Sequence, residues 1–295
     1  MAKRKKFHND SSAPSRQLLQ NLQMDPSLKF RVEEAYKSIR ANVMFSVMKK
    51  GCKKIVVSSS SPNEGKTTTT INLAITFAQA GQRVLLLDCD LRKPKLHHYF
   101  SVPNSPGLTN YLGSVVSTSR KDKVDLYEVI HKTEYSNLYA ICSGSIPPNP
   151  AELLGSELMA DFLSELEKDF DYIIIDTSPI NVVSDALPLI RESDGVVLVV
   201  RSNQTTHPDI QRVISSLEFI DAKILGFVVN FAGSSSTGKY GKYMGYRYGG
   251  KYSYGYGYGY GYGYGYGYGA GSTPLPRQSK SKLGTKAKYD PRNDI

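Results

Sequence analysis

Cysteine is scarce and long apolar runs are absent from this 295-residue chain. The three cysteines (Cys52, Cys89 and Cys142) match neither a zinc site nor a disulfide framework, so neither scaffold is expected. The start, Met-Ala-Lys-Arg-Lys-Lys, lacks the apolar core of a secretory signal, and no apolar run approaches the roughly 18 residues of a membrane span. We therefore expect a protein of the reducing cytoplasm that could reach a membrane only through a partner or through charge.

Acidic residues are scarce at both ends of the chain. Residues 1–10 carry a net charge of +3 and residues 232–295 one of +8, so the total of +10 leaves −1 for residues 11–231. Basic ends suit an anionic membrane surface, an acidic partner or nucleic acid, and they suit solvated flexible arms equally well. Because the near-neutral centre offers no duplex-reading element, nucleic acid is not an expected partner.

Short apolar segments alternate with helical patterns between these ends. The predicted strands are mostly continuous Val, Ile and Leu runs, as in strands buried on both faces, at 54–59, 83–88, 137–142, 172–176, 195–200 and 224–230. The predicted helices cover residues 27–48, 67–80, 150–168, 183–191 and 208–219. This alternation predicts an α/β fold, in which helices cover both faces of a mostly parallel sheet.

A phosphate-binding loop follows the first predicted strand. Ser60 to Thr67 fits the pattern G-x-x-x-x-G-K-[ST], except that Ser60 replaces the first glycine. The loop's N–H groups and the positive end of the next helix would hold phosphates. The residues expected to bind ATP here are Asn63, Glu64, Gly65, Lys66, Thr67 and Thr68. Lys66 would neutralise phosphate charge, and the Thr67 hydroxyl would bind Mg²⁺.

Three aspartates follow two later strands. Asp88 and Asp90 end one strand and Asp176 ends another, so all three are expected at the carboxyl edge of the sheet, where ligands bind in open parallel sheets. Asp176 is the natural metal-side carboxylate of a P-loop NTPase. The alternative for Asp88 and Asp90 is a turn cap or a pairing with Arg92 or Lys93.

The C-terminal region has a different composition. Residues 240–268 hold thirteen tyrosines, and Tyr and Gly alternate from Tyr254 to Gly269. Glycine at every second position and the lack of aliphatic residues predict disorder. The simplest alternative function for such a low-complexity segment is self-association by phase separation. The predicted organisation is a flexible basic N-terminus at 1–27, a P-loop domain at 28–231 and a disordered tail at 232–295.

Taken together and in order, the motifs resemble the bacterial tyrosine kinases of capsule and exopolysaccharide synthesis. The resemblance covers about residues 27–231, with the tyrosine-rich tail similar in kind. It rests on segments 33–40 (EEAYKSIR), 61–67 (SPNEGKT), 88–94 (DCDLRKP), 107–108 (GL), 144–154 (GSIPPNPAELL) and 176–179 (DTSP). In segment 176–179, Ser178 stands where that family often has proline.

The resemblance implies a division of labour at matching positions. Lys66 and Thr67 would hold phosphate and Mg²⁺, while Asp90 and Asp176 organise the metal. Asp88 resembles the family's base for the acceptor hydroxyl. Asn230 matches a position that contacts adenine, although a strand-end turn residue explains it nearly as well.

The resemblance also implies an assembly. Glu34, Lys37 and Arg40 match a helix that the family uses in a ring-like homo-oligomer; an ordinary surface ion pair is the alternative. Neighbouring subunits would phosphorylate the tail in trans, at Tyr254, Tyr256, Tyr258, Tyr260, Tyr262, Tyr264, Tyr266 and Tyr268. Added phosphate charge would then loosen the ring.

The implied partners lie at the membrane. One is a separate integral-membrane activator, as in Gram-positive systems. The others are a cognate tyrosine phosphatase and protein substrates of sugar-nucleotide metabolism. The expected location is the cytoplasm, with recruitment to the inner face of the membrane. Two rival functions stay open. One is a ParA/MinD-type regulatory ATPase, but such proteins usually carry a signature lysine at the position of Ser61. The other is a non-enzymatic ATP-dependent scaffold assembled by tyrosine stacking.

Overall fold

The computed structural model describes residues 26–119 and 123–232, and a single sheet forms the centre of this part of the chain. Its seven strands lie in the order β3-β4-β2-β5-β1-β6-β7, and every neighbouring pair is parallel except β3 with β4. The strands are β1 (Lys53–Ser59), β2 (Val84–Cys89), β3 (His131–Lys132), β4 (Leu138–Ile141), β5 (Tyr172–Thr177), β6 (Gly195–Arg201) and β7 (Ile224–Asn230). All residues of β2 and β5 are buried, as their continuous apolar runs predict.

Helices cover both faces of the sheet. They are α1 (Pro26–Ser46), α2 (Lys66–Gln79), α3 (Leu96–Phe100), α4 (Leu108–Val116), α5 (Pro150–Leu154), α6 (Glu157–Leu166), α7 (Ala186–Arg191) and α8 (His207–Phe219). One apolar layer joins the sheet to α1, α2 and α3, for example through Phe77 and Leu96. The other layer joins it to α4 through α8, for example through Phe162 and Leu217. The predicted α/β architecture is therefore confirmed.

The differences from the predicted elements have local causes. The predicted helix 150–168 is two helices, because Gly155 and Ser156 interrupt it and the Ser156 side chain accepts from the Met159 N–H to begin α6. The predicted helix 183–191 begins only at Ala186. Helices α3 and α4 and strand β3 were not predicted, because they are short and lack a sustained apolar period.

Helix α1 is fastened to the domain by basic side chains at helix ends. Arg40 donates to the Thr76 carbonyl near the end of α2 at 2.7 Å, and Lys223 donates to the Ser46 carbonyl that ends α1 at 2.6 Å. Cations at carboxyl ends satisfy free carbonyls and complement the helix dipole. Lys37 and Glu34 form an exposed ion pair at 2.7 Å. Arg40 thus contacts its own chain, whereas Glu34 and Lys37 face solvent.

The predictions for both ends concern residues outside the described ranges. Residues 1–25 lie there, as do the tyrosine cluster and the basic segment within 233–295. Among the described helices, none combines the length and the apolar content that a bilayer span needs.

Candidate functional site

The phosphate-binding loop, residues 60–67, connects β1 to the first turn of α2. Gly65 immediately precedes α2 and has a φ of +88°, a conformation that suits glycine. A Cβ on Gly65 would come within 2.0 Å of Asn230 Nδ2, so any larger residue there must displace the Asn230 side chain at the end of β7. The loop is therefore shaped both by its own turn and by β7.

Lys66 and Asp176 form the centre of the site. Lys66 Nζ lies 2.9 Å from Asp176 Oδ1 and 3.4 Å from Asp90 Oδ2. Burial alone would lower the pKa of Lys66, but Asp176 and then Asp90 outweigh it and hold the pKa above its ordinary value. The lysine is therefore a fixed positive charge at the end of the loop.

Two threonine hydroxyls complete the environment of Asp176. Thr67 Oγ1 donates to Asp176 Oδ2 at 2.7 Å, and Thr70 Oγ1 donates to Asp176 Oδ1 at 3.1 Å. Asp176 lies beside Asp88 in the register of β5 with β2. The role of Thr70 was not foreseen, although its place one turn after Lys66 could have indicated that it faces the same side.

Asp88 is fully buried at the end of β2. Its carboxylate accepts from the N–H groups of Lys95 and Leu96, at 3.0 and 3.1 Å, and from that of Asp90 at 3.2 Å. Burial raises the pKa of Asp88 to about 7, Asp176 adds to the rise, and the N–H donors only partly oppose it. Asp88 therefore holds the following turn in place and titrates near neutral pH.

Asp90 lies just beyond the end of β2, so the strand does not continue through both aspartates. Its carboxylate reaches Lys66 on one side and accepts from the Lys93 N–H at 3.2 Å on the other. Asp88 and Asp90 thus both cap the turn that follows β2, which was the alternative predicted for them. Both also lie beside Lys66. The ion pair of Arg92 is instead a two-point contact with buried Asp185, at 2.6 and 3.1 Å, although Asp90 also lies near enough to raise the pKa of Arg92.

A second set of contacts holds the loop from the side of β6 and β7. Asn230 Nδ2 donates to the Glu64 carbonyl at 3.2 Å, and Arg201 donates to the Asn63 carbonyl at 3.1 Å. The Arg201 guanidinium also lies 4.2 Å from the centre of the Phe231 ring. Arg201 and Phe231 were missed in the sequence, and their positions at the ends of β6 and β7 were the available signal.

The Glu64 side chain is buried inside the loop. Its carboxylate accepts from Ser60 Oγ at 2.8 Å and from the Ser61 N–H at 3.0 Å, and Thr205 Oγ1 also donates to it. Ser60, the residue that departs from the loop pattern, therefore has a structural partner. Glu64 contributes to the site by fixing the loop backbone.

A cavity of about 440 Å³ lies over these residues. Its floor includes Gly65, Lys66 and Thr67, and Thr68 also lines it, its hydroxyl 3.5 Å from that of Tyr99. Asn230 does not line the cavity, whereas Phe231 does. A pocket of this size, with backbone N–H groups and one ammonium at its base, is suited to a nucleotide phosphate chain.

The side chains also fit Mg-ATP chemically. Thr67, Asp90 and Asp176 supply hydroxyl and carboxylate oxygens, the donor type that Mg²⁺ selects, and phosphate and water oxygens usually complete such a set. Among the described residues there is no cluster of three His, Cys, Asp or Glu side chains with the geometry of an all-protein metal site.

Comparison with known proteins decides the family. The model of the AAA domain family matches residues 52–226. Tyrosine-protein kinase YwqD of Bacillus subtilis (strain 168) is 38% identical over 210 residues, which is 71% of this chain and 85% of that protein. This chain belongs to the bacterial tyrosine-protein kinase family. The putative tyrosine-protein kinase CapB of Staphylococcus aureus is 34% identical, over 74% of this chain and 92% of that one.

Solved structures of this kinase family share the architecture. The chimerical protein CapA2B2 has a TM-score of 0.63 at 33% identity, and the match covers 72% of this chain and 88% of the CapA2B2 chain. The kinase domain of Escherichia coli tyrosine kinase ETK has a TM-score of 0.61 at 30% identity, over 76% and 80% of the two chains. The cell division ATPase MinD of Pyrococcus furiosus, at 24% identity and a TM-score of 0.51, shares the fold.

Replacing Gly65 with alanine tests whether β7 shapes the kinase's loop. Gly81→Ala is the matched control, because Gly81 has a φ of +84° but nothing within 4 Å of an added Cβ. Both changes carry the backbone cost of about 1 kcal/mol, whereas only Gly65→Ala displaces Asn230. We expect Gly65→Ala to weaken ATP binding at least tenfold by calorimetry, and Gly81→Ala to leave it unchanged. Equal affinities would contradict the packing described here.

Proposed function

We propose that this protein is an ATP-dependent protein-tyrosine kinase that phosphorylates the tyrosine cluster of its own tail in trans. The observation that carries the proposal is the cluster around Lys66: Lys66, Thr67 and Asp90 line one cavity, and buried Asp176 contacts both Lys66 and Thr67. Asp88 lies beside them at the end of β2. An ATPase needs Lys66, Thr67, Asp90 and Asp176. Asp88 adds a buried carboxyl with a pKa near neutral pH, which is a candidate base for a phenol.

Each residue has a role in phosphoryl transfer. The phosphate-binding loop and the start of α2 orient the phosphates, with Lys66 offsetting the charge that develops on them. Thr67, Asp90 and Asp176 would hold Mg²⁺, which neutralises charge on the β- and γ-phosphates when bound. Because the reaction depends mainly on alignment and charge, the contacts of Asn230 and Arg201 that fix the loop support it directly.

Asp88 would accept the proton of the acceptor tyrosine. A phenol has a pKa near 10, so a carboxylate with a pKa close to the working pH is better matched to it than an ordinary aspartate. Asp88 is fully buried and engaged by three backbone N–H groups. Its use as a base therefore requires that the phenol approach from the cavity past Asp90.

The tail is the proposed substrate because it concentrates tyrosines without competing structure-forming residues. A chain of alternating Tyr and Gly can reach a neighbouring subunit, and each phosphate adds roughly −1.5 to −2 charges. Several phosphates would convert the net charge of +8 into a negative one. We propose that this change loosens a ring built partly by Glu34 and Lys37, with Arg40 contributing mainly by fixing α1 to α2.

Transfer in trans can be tested by mixing two full-length chains. One is unlabelled wild type and the other is ¹⁵N-labelled Lys66→Met, whose activity is expected to be about 10²–10³-fold lower. After addition of Mg-ATP, mass spectrometry should find phosphotyrosine on labelled peptides between Tyr240 and Tyr268. Phosphate confined to unlabelled chains would refute transfer between subunits, and its absence from both would refute the kinase proposal.

The cellular role we propose is control of capsular or exopolysaccharide synthesis and chain length. The kinase would work in the cytoplasm, at the inner face of the membrane, where a separate integral-membrane activator recruits it. A cognate tyrosine phosphatase would reset the tail, and proteins of sugar-nucleotide metabolism would be further substrates. These proposals rest on the kinship with capsule-region kinases such as the putative tyrosine-protein kinase in the cps region of Klebsiella pneumoniae.

A further inference from the structure

The cavity has two ends that lie on opposite sides of the phosphate-binding loop. Since the sheet order is β2-β5-β1-β6-β7, the loop after β1 lies between the segment after β2 and the ends of β6 and β7. Arg201 and Phe231 line the β7 end, and Lys93, Lys95 and Tyr99 line the β2 end. Asp88 also ends β2. If the nucleoside occupies the β7 end, the acceptor must enter at the β2 end.

Two lysines at the β2 end carry uncompensated charge, and we name Lys93 and Lys95 the lysine rim. Both are exposed and line the cavity. Within residues 26–119 and 123–232, neither side chain forms an ion pair, whereas the nearby cations Lys66 and Arg92 are already paired with Asp176 and Asp185. The rim therefore offers two positive charges to whatever enters.

The unmodified tail does not complement this rim. Residues 232–295 contain ten basic residues and only two acids, Asp290 and Asp294, both far from the Tyr-Gly repeat. A phosphotyrosine changes this locally, because it brings roughly −1.5 to −2 charges and three acceptor oxygens. In an extended repeat, neighbouring tyrosines lie about 7 Å apart, and Lys93 and Lys95 line the same cavity as Asp90, so a phosphotyrosine beside the acceptor enters the surroundings of the rim.

We propose that the lysine rim selects tyrosines with a nearby negative charge, so that phosphorylation of the tail is self-priming. This inference rests on the proposed kinase function and names its substrate class: tyrosine segments carrying a neighbouring carboxylate or phosphotyrosine. The first phosphate enters a basic tail slowly, and each one then makes the adjacent tyrosine a better acceptor. Substrates other than the tail are tyrosines flanked by Asp or Glu.

The test uses the full-length wild-type chain and capped Tyr-Gly repeat peptides as acceptors. One peptide is neutral, one carries a central phosphotyrosine and one carries a central glutamate, and mass spectrometry separates their products from the tail. We expect KM for the phosphotyrosine peptide to be about tenfold lower than for the neutral one, and the advantage to shrink at high salt. The KM for the glutamate peptide should fall less, because glutamate carries a single negative charge.

Variants locate the effect. Lys93→Gln with Lys95→Gln should remove the preference, while the double arginine variant at the same positions should keep it. Lys132→Gln, on the exposed edge strand β3, is the matched control and should change nothing. The circular dichroism spectrum and unfolding midpoint of each variant confirm that the fold is intact.

The outcomes separate this inference from the proposed function. If wild type phosphorylates all peptides with the same KM, the rim does not select acidic acceptors and the inference is overturned, while the kinase function stands. If the double glutamine variant raises KM for ATP and leaves the peptide preference, the lysines bind nucleotide instead, which also overturns it. If neither the tail nor any peptide is phosphorylated, the kinase proposal itself fails.

Discussion

Replacing Lys66 with methionine is expected to lower phosphotyrosine formation by about 10²–10³-fold, the scale on which loss of one charge-stabilising group acts. The ammonium lies between Asp176 and Asp90, and no other basic side chain in the described part of the chain pairs with either carboxylate. Methionine keeps the length and the flexible shape of the side chain while removing its charge. Initial rates with saturating Mg-ATP measure the loss.

The control for this variant is its fold. Asp176 keeps the hydroxyl donors Thr67 and Thr70, so a lowered but cooperative unfolding transition is expected rather than collapse. Lys132→Met, on an exposed edge strand, should have wild-type activity. A Lys66→Met chain that phosphorylates itself at the wild-type rate would show that the loop does not support the chemistry.

Replacing Asp88 with asparagine is expected to lower kcat by about 100-fold or more, the usual contribution of a positioned base. Because the base acts when deprotonated, wild-type activity should fall as the pH drops through the pKa of Asp88, which burial and Asp176 raise to about 7 in the nucleotide-free protein. Asparagine cannot titrate, so the residual activity should lack this step. Rates between pH 5.5 and roughly 8.5 measure both effects. An unchanged profile would exclude Asp88 as the base.

The same pKa makes a prediction for the stability of the nucleotide-free protein. A carboxyl whose pKa rises from 3.8 to about 7 on folding stabilises the folded state fully below pH 3.8 and loses that contribution as the pH rises to about 7. The free energy of unfolding of Asp88→Asn should not show the part of the decrease with rising pH that comes from the Asp88 carboxyl. Denaturant titrations at pH 5 and roughly pH 7.5, compared between the two proteins, isolate the contribution.

Much of the site could be predicted because its residues end strands. Continuous apolar runs located the strands to within a residue or two, and polar residues at the ends of parallel strands must share one edge. This logic placed Lys66, Asp90 and Asp176 within hydrogen-bonding distance. Their roles with metal and phosphate stay predictions until ligands are measured.

The remaining features depend on contacts between segments distant in sequence. Nothing near Arg92 indicates Asp185 as its partner, and nothing near Arg40 indicates the Thr76 carbonyl, because tertiary packing creates both pairs. Glu64 reads as a possible ligand contact from the motif, whereas its burial with Ser60 gives it a role inside the loop. The aromatic partner of Arg201, Phe231, became recognisable only once β7 was placed beside β6.

The most direct measurement is the fate of the γ-phosphate when the full-length chain is incubated with Mg-ATP. If the groups around Lys66 transfer phosphate to a phenol, ADP and tail phosphotyrosine should form together at early times in nearly equal amounts. Release of ADP with free phosphate and without phosphotyrosine, in the presence of accessible tyrosines, would contradict the account and indicate a regulatory ATPase.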